Sequence, residues 1–130
     1  MLKNTKKLNK ADREKAFNDV YQLARITGLQ SGEYFEPTPM IVVDDIGQEY
    51  IIEEGLCGFA WINIKPGNSQ FANWLKANDH ATKDSYYGGV TVWVSEFNQS
   101  MERKIKYARA FAKVLSDNGL ERVYVGSRMD

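Results

Sequence analysis

Two β-type runs in the second half of the chain are each followed by a serine and an amphipathic helix pattern. The first run spans 59–65, and Asn68 or Ser69 then fits the N-cap of a short apolar stripe at helical spacing. The second spans 90–95, and a longer helix pattern begins near Ser100. Since the aliphatic face of each strand must be buried, this repeated pattern predicts helices packed on one sheet.

The first half of the chain adds a long helix and a hairpin. Asn9 fits a helix N-cap and Gly28 fits a C-terminal stop, which together limit the first helix. Two β-branched runs flank a short glycine-containing turn, and this arrangement predicts a hairpin. The remaining predicted elements are a helix over 10–27, hairpin strands at 40–43 and 49–52, and a last strand at 122–125.

The predicted order α-β-β-β-α-β-α-β indicates the α+β class, with a mixed sheet of four or five strands and helices packed on it. The two late strand–helix–strand units predict right-handed parallel crossovers. We expect one domain over 10–130, preceded by a basic flexible tail over 1–9.

Composition excludes several classes of protein. The chain has 130 residues, with 17 basic and 17 acidic side chains that cancel, so a strongly basic nucleic-acid binder is not indicated. Cys57 is the only cysteine, which excludes an internal disulfide and a thiolate metal cluster. Without an apolar signal segment or a run long enough to span a bilayer, we expect a soluble cytoplasmic protein without cofactor or metal.

The zero net charge conceals a segregated distribution. Residues 31–56 contain seven acidic and no basic side chains, whereas 1–30 carry a net charge of +4 and 101–130 a net charge of +3. Such blocks either complement each other inside the domain or form separate faces for a partner.

Strand alternation gathers aromatic side chains on one face of the predicted sheet. That face carries Phe59, Trp61, Trp93 and Tyr124, with Lys65 at its rim. Exposed aromatics of this kind stack nucleobases or form a protein-binding patch. The alternative is that the first helix, whose apolar stripe also needs a surface, covers them.

Several basic and polar residues are candidates for binding an anion. Lys65, Asn68 and Ser69 lie between a strand and a helix N-terminus, where free N–H groups hold phosphate or carboxylate, although ordinary capping also explains them. Arg109 belongs to a basic helix face, which is either solvated or in contact with phosphates or the acidic segment. Arg128 follows the last predicted strand.

Catalytic and metal-binding candidates are few. Asp79, His80 and Asp84 place the one imidazole near carboxylates, a set that suits a general base or a metal ligand but also occurs in a solvated loop. Cys57 has no base nearby in sequence to activate it as a nucleophile. The acidic hairpin residues suit either a hard cation or a charged strand edge.

Two stretches carry a family resemblance. Gly58-Phe59-Ala60-Trp61-Ile62-Asn63-Ile64-Lys65-Pro66-Gly67-Asn68-Ser69 is the first, and the second runs from Tyr86-Tyr87-Gly88-Gly89 to Gly126-Ser127-Arg128-Met129-Asp130. Over about 55–130 the chain resembles small uncharacterised proteins of tailed bacteriophages and prophages. The resemblance implies expression in a bacterial cytoplasm and an accessory role acting on host machinery.

Three hypotheses follow. The first is a non-enzymatic accessory protein that engages a host or phage protein through its aromatic sheet face or acidic hairpin. The second is a nucleic-acid or nucleotide binder that uses the aromatics with Lys65, Arg109 and Arg128. The third is a small phosphoester-processing enzyme that uses Asp79, His80 and Asp84. Burial of the two sheet tryptophans under the first helix would exclude base stacking.

Overall fold

A computed structural model describes residue 2 and residues 5–130 of the chain. After a 3-10 turn at Thr5–Lys7, the elements are α1 (Lys10–Tyr34), β1 (Met40–Val43), β2 (Glu49–Ile52), β3 (Gly58–Ile64), α2 (Gln70–Ala77), β4 (Thr82–Lys83), β5 (Val90–Trp93), α3 (Met101–Asp117) and β6 (Val123–Met129). The α+β class is confirmed.

The strands form two antiparallel sheets. β1 and β2 make a separate two-stranded hairpin, and the other four strands lie in the order β4-β5-β3-β6. Every pair in the four-stranded sheet is antiparallel, so the expected mixed sheet is wrong, and so is the parallel crossover expected between β3 and β5. β5 and β6 do run parallel, but β3 lies between them. The segment from β3 to β6 is a split β-α-β arrangement.

The core lies between the four-stranded sheet and the helices. Ala60, Ile62 and Ile64 of β3 alternate toward the helices and are fully buried. Phe111 and Leu115 of α3 are buried among them. α1 packs mainly along α3, and its Phe17 ring meets those of Phe71 and Trp74 on α2. All three helices therefore share one side of the sheet.

Helix α1 is longer than predicted, because Gly28 does not end it. A Cβ at Gly28 would lie 3.0 Å from the ring of Tyr107 on α3, so the glycine allows the two helices to approach closely. The helix ends instead at Tyr34, three residues before Pro37. Its predicted start is confirmed, since the Asn9 side chain accepts a hydrogen bond from the Asp12 amide at 2.8 Å.

The other predicted caps are also present. Ser69 Oγ accepts a hydrogen bond from the Ala72 amide, and Ser100 Oγ accepts one from the Arg103 amide. The last strand extends to Met129, four residues beyond its predicted end, and this extension places Arg128 within the sheet.

Part of the predicted flexible tail over 1–9 is held against the domain. The Leu2 amide donates to the Asn118 carbonyl at 2.9 Å, and Thr5 is buried. Residues 1, 3 and 4 of that tail lie outside the described residues. In the part of the chain that the structure describes, no helix is long and apolar enough to cross a membrane.

The core predicts a large effect of one substitution. Phe111→Ala removes a fully buried ring that contacts Tyr21 and Tyr107, and we expect it to lower the free energy of unfolding by about 3–5 kcal/mol. Leu23→Ala on the exposed side of α1 is the control and should change it by less than about 0.5 kcal/mol. Urea unfolding monitored by circular dichroism measures the free energy of unfolding of both variants. Equal effects of the two substitutions would contradict this packing.

Candidate functional site

The side of the sheet away from the helices is not covered by α1, so the alternative in which the first helix covers the aromatic residues is wrong. We call this side the open face; it is formed by Phe59, Trp61, Asn63, Thr91, Trp93, Tyr124, Gly126 and Arg128. Trp93 is 52% exposed and Tyr124 is 50% exposed. The apolar stripe of α1 packs against α2 and α3, so the aromatic rings on the other side of the sheet stay exposed to solvent.

The two sheet tryptophans form the centre of the open face. Trp61 and Trp93 are direct partners across β3 and β5, with ring centroids 5.2 Å apart and planes inclined by 54°. Trp61 also lies over Gly126 of β6, where any Cβ would overlap the indole. The glycine therefore lets the Trp61 ring lie across the neighbouring strand instead of projecting from the sheet.

A cavity of about 520 Å³ opens beside Trp61. Its walls include Asn63, Lys65, Tyr87, Tyr124 and Arg128. A second depression, lined by Trp93, Tyr86 and Asp84, continues on the other side of Trp61 and also touches Arg128. The open face is thus a concave aromatic surface rather than a flat one.

Two cations lie on aromatic rings of this face. Lys65 Nζ lies 5.6 Å from the centre of the Tyr124 ring, and the Arg128 guanidinium carbon lies 5.4 Å from that of Phe59. Such cation–π contacts hold positive charge against the rings while leaving N–H donors free for an anion. Phe59 has a second cation beside it, since Lys104 Nζ lies 5.6 Å from the same ring.

Asn63 links the sheet to the turn over 84–88, which contains Tyr86 and Tyr87 and is called the tyrosine turn from here on. Its Nδ2 donates to the Gly88 carbonyl at 2.9 Å, and its side chain is almost fully buried. Its Oδ1 is buried without a hydrogen-bond partner among the described residues. An unpaired buried acceptor costs roughly 1–3 kcal/mol, so a ligand donor that reached it would relieve that cost. The only sequence signal for a role of this residue is its polar side chain in an apolar strand.

Asp84 organises the same turn. Its Oδ1 accepts from the amides of Tyr86 and Tyr87 at 2.9 and 2.8 Å, and its Oδ2 accepts from Thr91 Oγ1 at 2.7 Å. The Tyr87 amide hydrogen bond is the largest cause that lowers the pKa of this carboxyl. Asp84 therefore stays ionised and holds two tyrosines at the edge of the open face.

His80 lies on the other side of the sheet. Its ring stacks on Tyr21 of α1 at 4.0 Å and lies 5.4 Å from Trp74 of α2. Asp79, at the end of α2, precedes it with φ at +61°. Since Asp84 faces the opposite side, the three residues do not form the predicted acid–base group.

The predicted anion site at 65–69 is also divided. Lys65 lines the open face, whereas Asn68 and Ser69 line a separate cavity with Phe71. The Ser69 hydroxyl caps α2, as ordinary capping predicts.

Arg109 is exposed on α3, on the helical side, and so lies apart from the aromatic rings. Asp44, a cation candidate in the hairpin, accepts hydrogen bonds from the amides of Ile46 and Gln48 and from the Tyr50 hydroxyl. The residues that the structure describes contain no group of three or more His, Cys, Asp or Glu side chains suited to a metal ion. Cys57 is exposed, beside the start of β3.

A scan against protein-family models and searches of curated proteins and of solved structures find no match to this chain. Function is therefore inferred from the side chains of the open face.

The surroundings of His80 predict its titration. Burial against the rings lowers the pKa of the imidazole below its ordinary 6.5, with a smaller opposing effect of Asp79. The folded state then binds the proton less readily than the unfolded state, so stability is full above pH 6.5 and falls as pH is lowered through the folded pKa. Because the chain has one histidine, its NMR signal gives the midpoint directly; a midpoint at or above 6.5 would contradict the packing.

Proposed function

We propose that the protein binds single-stranded nucleic acid on its open face. The observation that carries this proposal is the pair Trp61 and Trp93, set side by side on the two central strands and left uncovered by the helices. Aromatic rings on the central strands of a four-stranded antiparallel sheet are a known means of stacking two or three bases. Tyr124 supplies a third ring on the neighbouring strand.

The charges of the open face suit a short backbone segment. Lys65 and Arg128 lie at separate points of the 520 Å³ cavity, each held against an aromatic ring. In this arrangement the bases stack on the rings while the two cations contact phosphates. The balanced overall charge is compatible with this reading, because two local cations are enough for a few nucleotides.

The rim of the cavity is held in place by hydrogen bonds within the chain. The turn fixed by Asp84 holds Tyr86 and Tyr87 at the cavity rim before any ligand binds. A preorganised rim lowers the entropic cost of binding. The split β-α-β topology adds analogy only, since fold does not imply function.

The stacking role predicts a loss of affinity on removal of one ring. Trp93→Ala should weaken binding of a labelled single-stranded oligonucleotide by about 1–3 kcal/mol, or about 5- to 150-fold in Kd. Tyr34→Ala, which removes a ring 85% exposed at the end of α1, is the matched control and should leave Kd unchanged. Fluorescence anisotropy measures both, and equal affinities for wild type and Trp93→Ala would refute stacking there.

The two cations predict a shallow dependence on salt. For single strands each neutralised phosphate contributes about −0.7 to the slope of log K against log salt, so Lys65 and Arg128 together should give a slope near −1.4. Arg128→Gln should reduce its magnitude by about 0.7. Arg109→Gln, on the helical side, is the control with the same charge change; if it altered the slope equally, phosphates would lie elsewhere.

A second candidate function is binding of a protein partner through the acidic hairpin, and the exposure of its aliphatic side chains favours it. Ile41, Ile46 and Ile51 are 62%, 85% and 69% exposed, beside carboxylates that would meet a basic surface. In this reading the chain is an accessory protein acting in a bacterial cytoplasm, as the resemblance to phage proteins implies. The enzyme hypothesis is not carried forward, because His80 and Asp84 lie on opposite sides of the sheet.

A further inference from the structure

The hairpin β1–β2, residues 40–52 and called the arm from here on, projects from the domain as a separate two-stranded sheet. One of its faces is the more exposed. Ile41 and Val43 point to that face with their cross-strand neighbours Ile51 and Glu49, whereas Val42, Tyr50 and Ile52 on the other face are less exposed. The outward face is thus an apolar strip beside acidic side chains.

The arm is fixed at its tip and its base. At the tip, Asp44 accepts hydrogen bonds from two turn amides and from the Tyr50 hydroxyl. At the base, Glu102 accepts from the Thr38 amide at 3.0 Å, and Arg103 donates to Glu54 at 2.8 Å. These bonds order the turn of the arm and join its base to the start of α3.

An uncovered apolar hairpin is unstable by itself. A two-stranded hairpin is at best marginally stable in water unless it packs on another surface. Among the described residues, none covers the outward face of Ile41, Val43 and Ile51. Covering this strip would remove apolar surface from water, so a surface that packs on it is favoured.

Charge indicates what that surface is. The arm and its flanks hold the seven acidic and no basic residues of 31–56, and Glu54–Arg103 is the described salt bridge that joins this segment to a basic residue. The same chain carries positive charge on an outer face of α3, called the basic face of α3 and formed by Lys106, Arg109 and Lys113. Arg109 is exposed, and Lys113 has an exposed and therefore weak pairing with Asp117. Lys106 is partly buried, with its Nζ 5.0 Å from the centre of the Phe35 ring.

We propose that the arm packs on the basic face of α3 in a second copy of the chain, and that the second copy's arm does the same in return. Two arms cannot face each other directly, because their like charges repel. A twofold exchange pairs acidic with basic segments twice and covers both apolar strips. Each contact alone is small, and the reciprocal pair brings the interface nearer the roughly 800 Å² per partner of stable complexes.

This inference rests on the second candidate function, in which the arm binds a protein, and it identifies that protein as a second copy of this chain. Sedimentation equilibrium on the full chain over a wide concentration range tests it. We expect a dimer whose Kd rises at least about tenfold in Ile41→Thr/Ile51→Thr, which keeps β propensity while removing apolar surface. Circular dichroism checks that each variant folds.

Charge reversal identifies the receiving surface. Arg109→Glu/Lys113→Glu should weaken the dimer at least about tenfold, and adding Glu49→Lys/Glu53→Lys should restore it. Lys7→Glu/Lys10→Glu, the same charge change at the start of α1, is the matched control and should have no effect. A monomer at every concentration, or a dimer unchanged by the arm and α3 variants, overturns the inference. Arm-dependent capture of a different protein by that monomer would leave the second candidate function standing.

Discussion

The packing of α1 on the other helices decides what the rest of the molecule can do. α1 buries Phe17, Val20 and Ala24 against α2 and α3, and Gly28 allows it to approach Tyr107 closely. Once its apolar stripe is buried there, none of the helices in the described residues covers the opposite side of the sheet. The exposure of the aromatic rings is therefore a consequence of how three helices share one face.

Local patterns predicted the elements well, because the information for them lies within a few residues. The caps at Asn9, Ser69 and Ser100 and the turn between β1 and β2 each depend on neighbours in sequence. The end of α1 was missed because Gly28 serves a contact with Tyr107, 79 residues further along the chain. Sheet order was missed for the same reason, since pairing of β3 with β6 joins residues about sixty or seventy positions apart, from Ile64 with Val123 to Gly58 with Met129.

The candidate site was predicted in part. Alternation placed Phe59, Trp61, Trp93 and Tyr124 on one face, but it could not show whether that face was covered. The roles of Asn63 and Asp84 depend on hydrogen bonds to a turn that folds back over the sheet edge. Local spacing contains no trace of such contacts. Segregated charge was visible in sequence, whereas the separation of the hairpin from the four-stranded sheet was not.

The contact of Trp61 with Gly126 has a consequence for how this sequence can diverge. A side chain at position 126 would collide with the indole, so position 126 is free to change only when Trp61, 65 residues away, has changed as well. In related chains without a tryptophan at position 61, this contact no longer requires a glycine at position 126, and other residues are allowed there. Covariation at these two positions would therefore distinguish related chains that keep the aromatic face from those that keep only the fold.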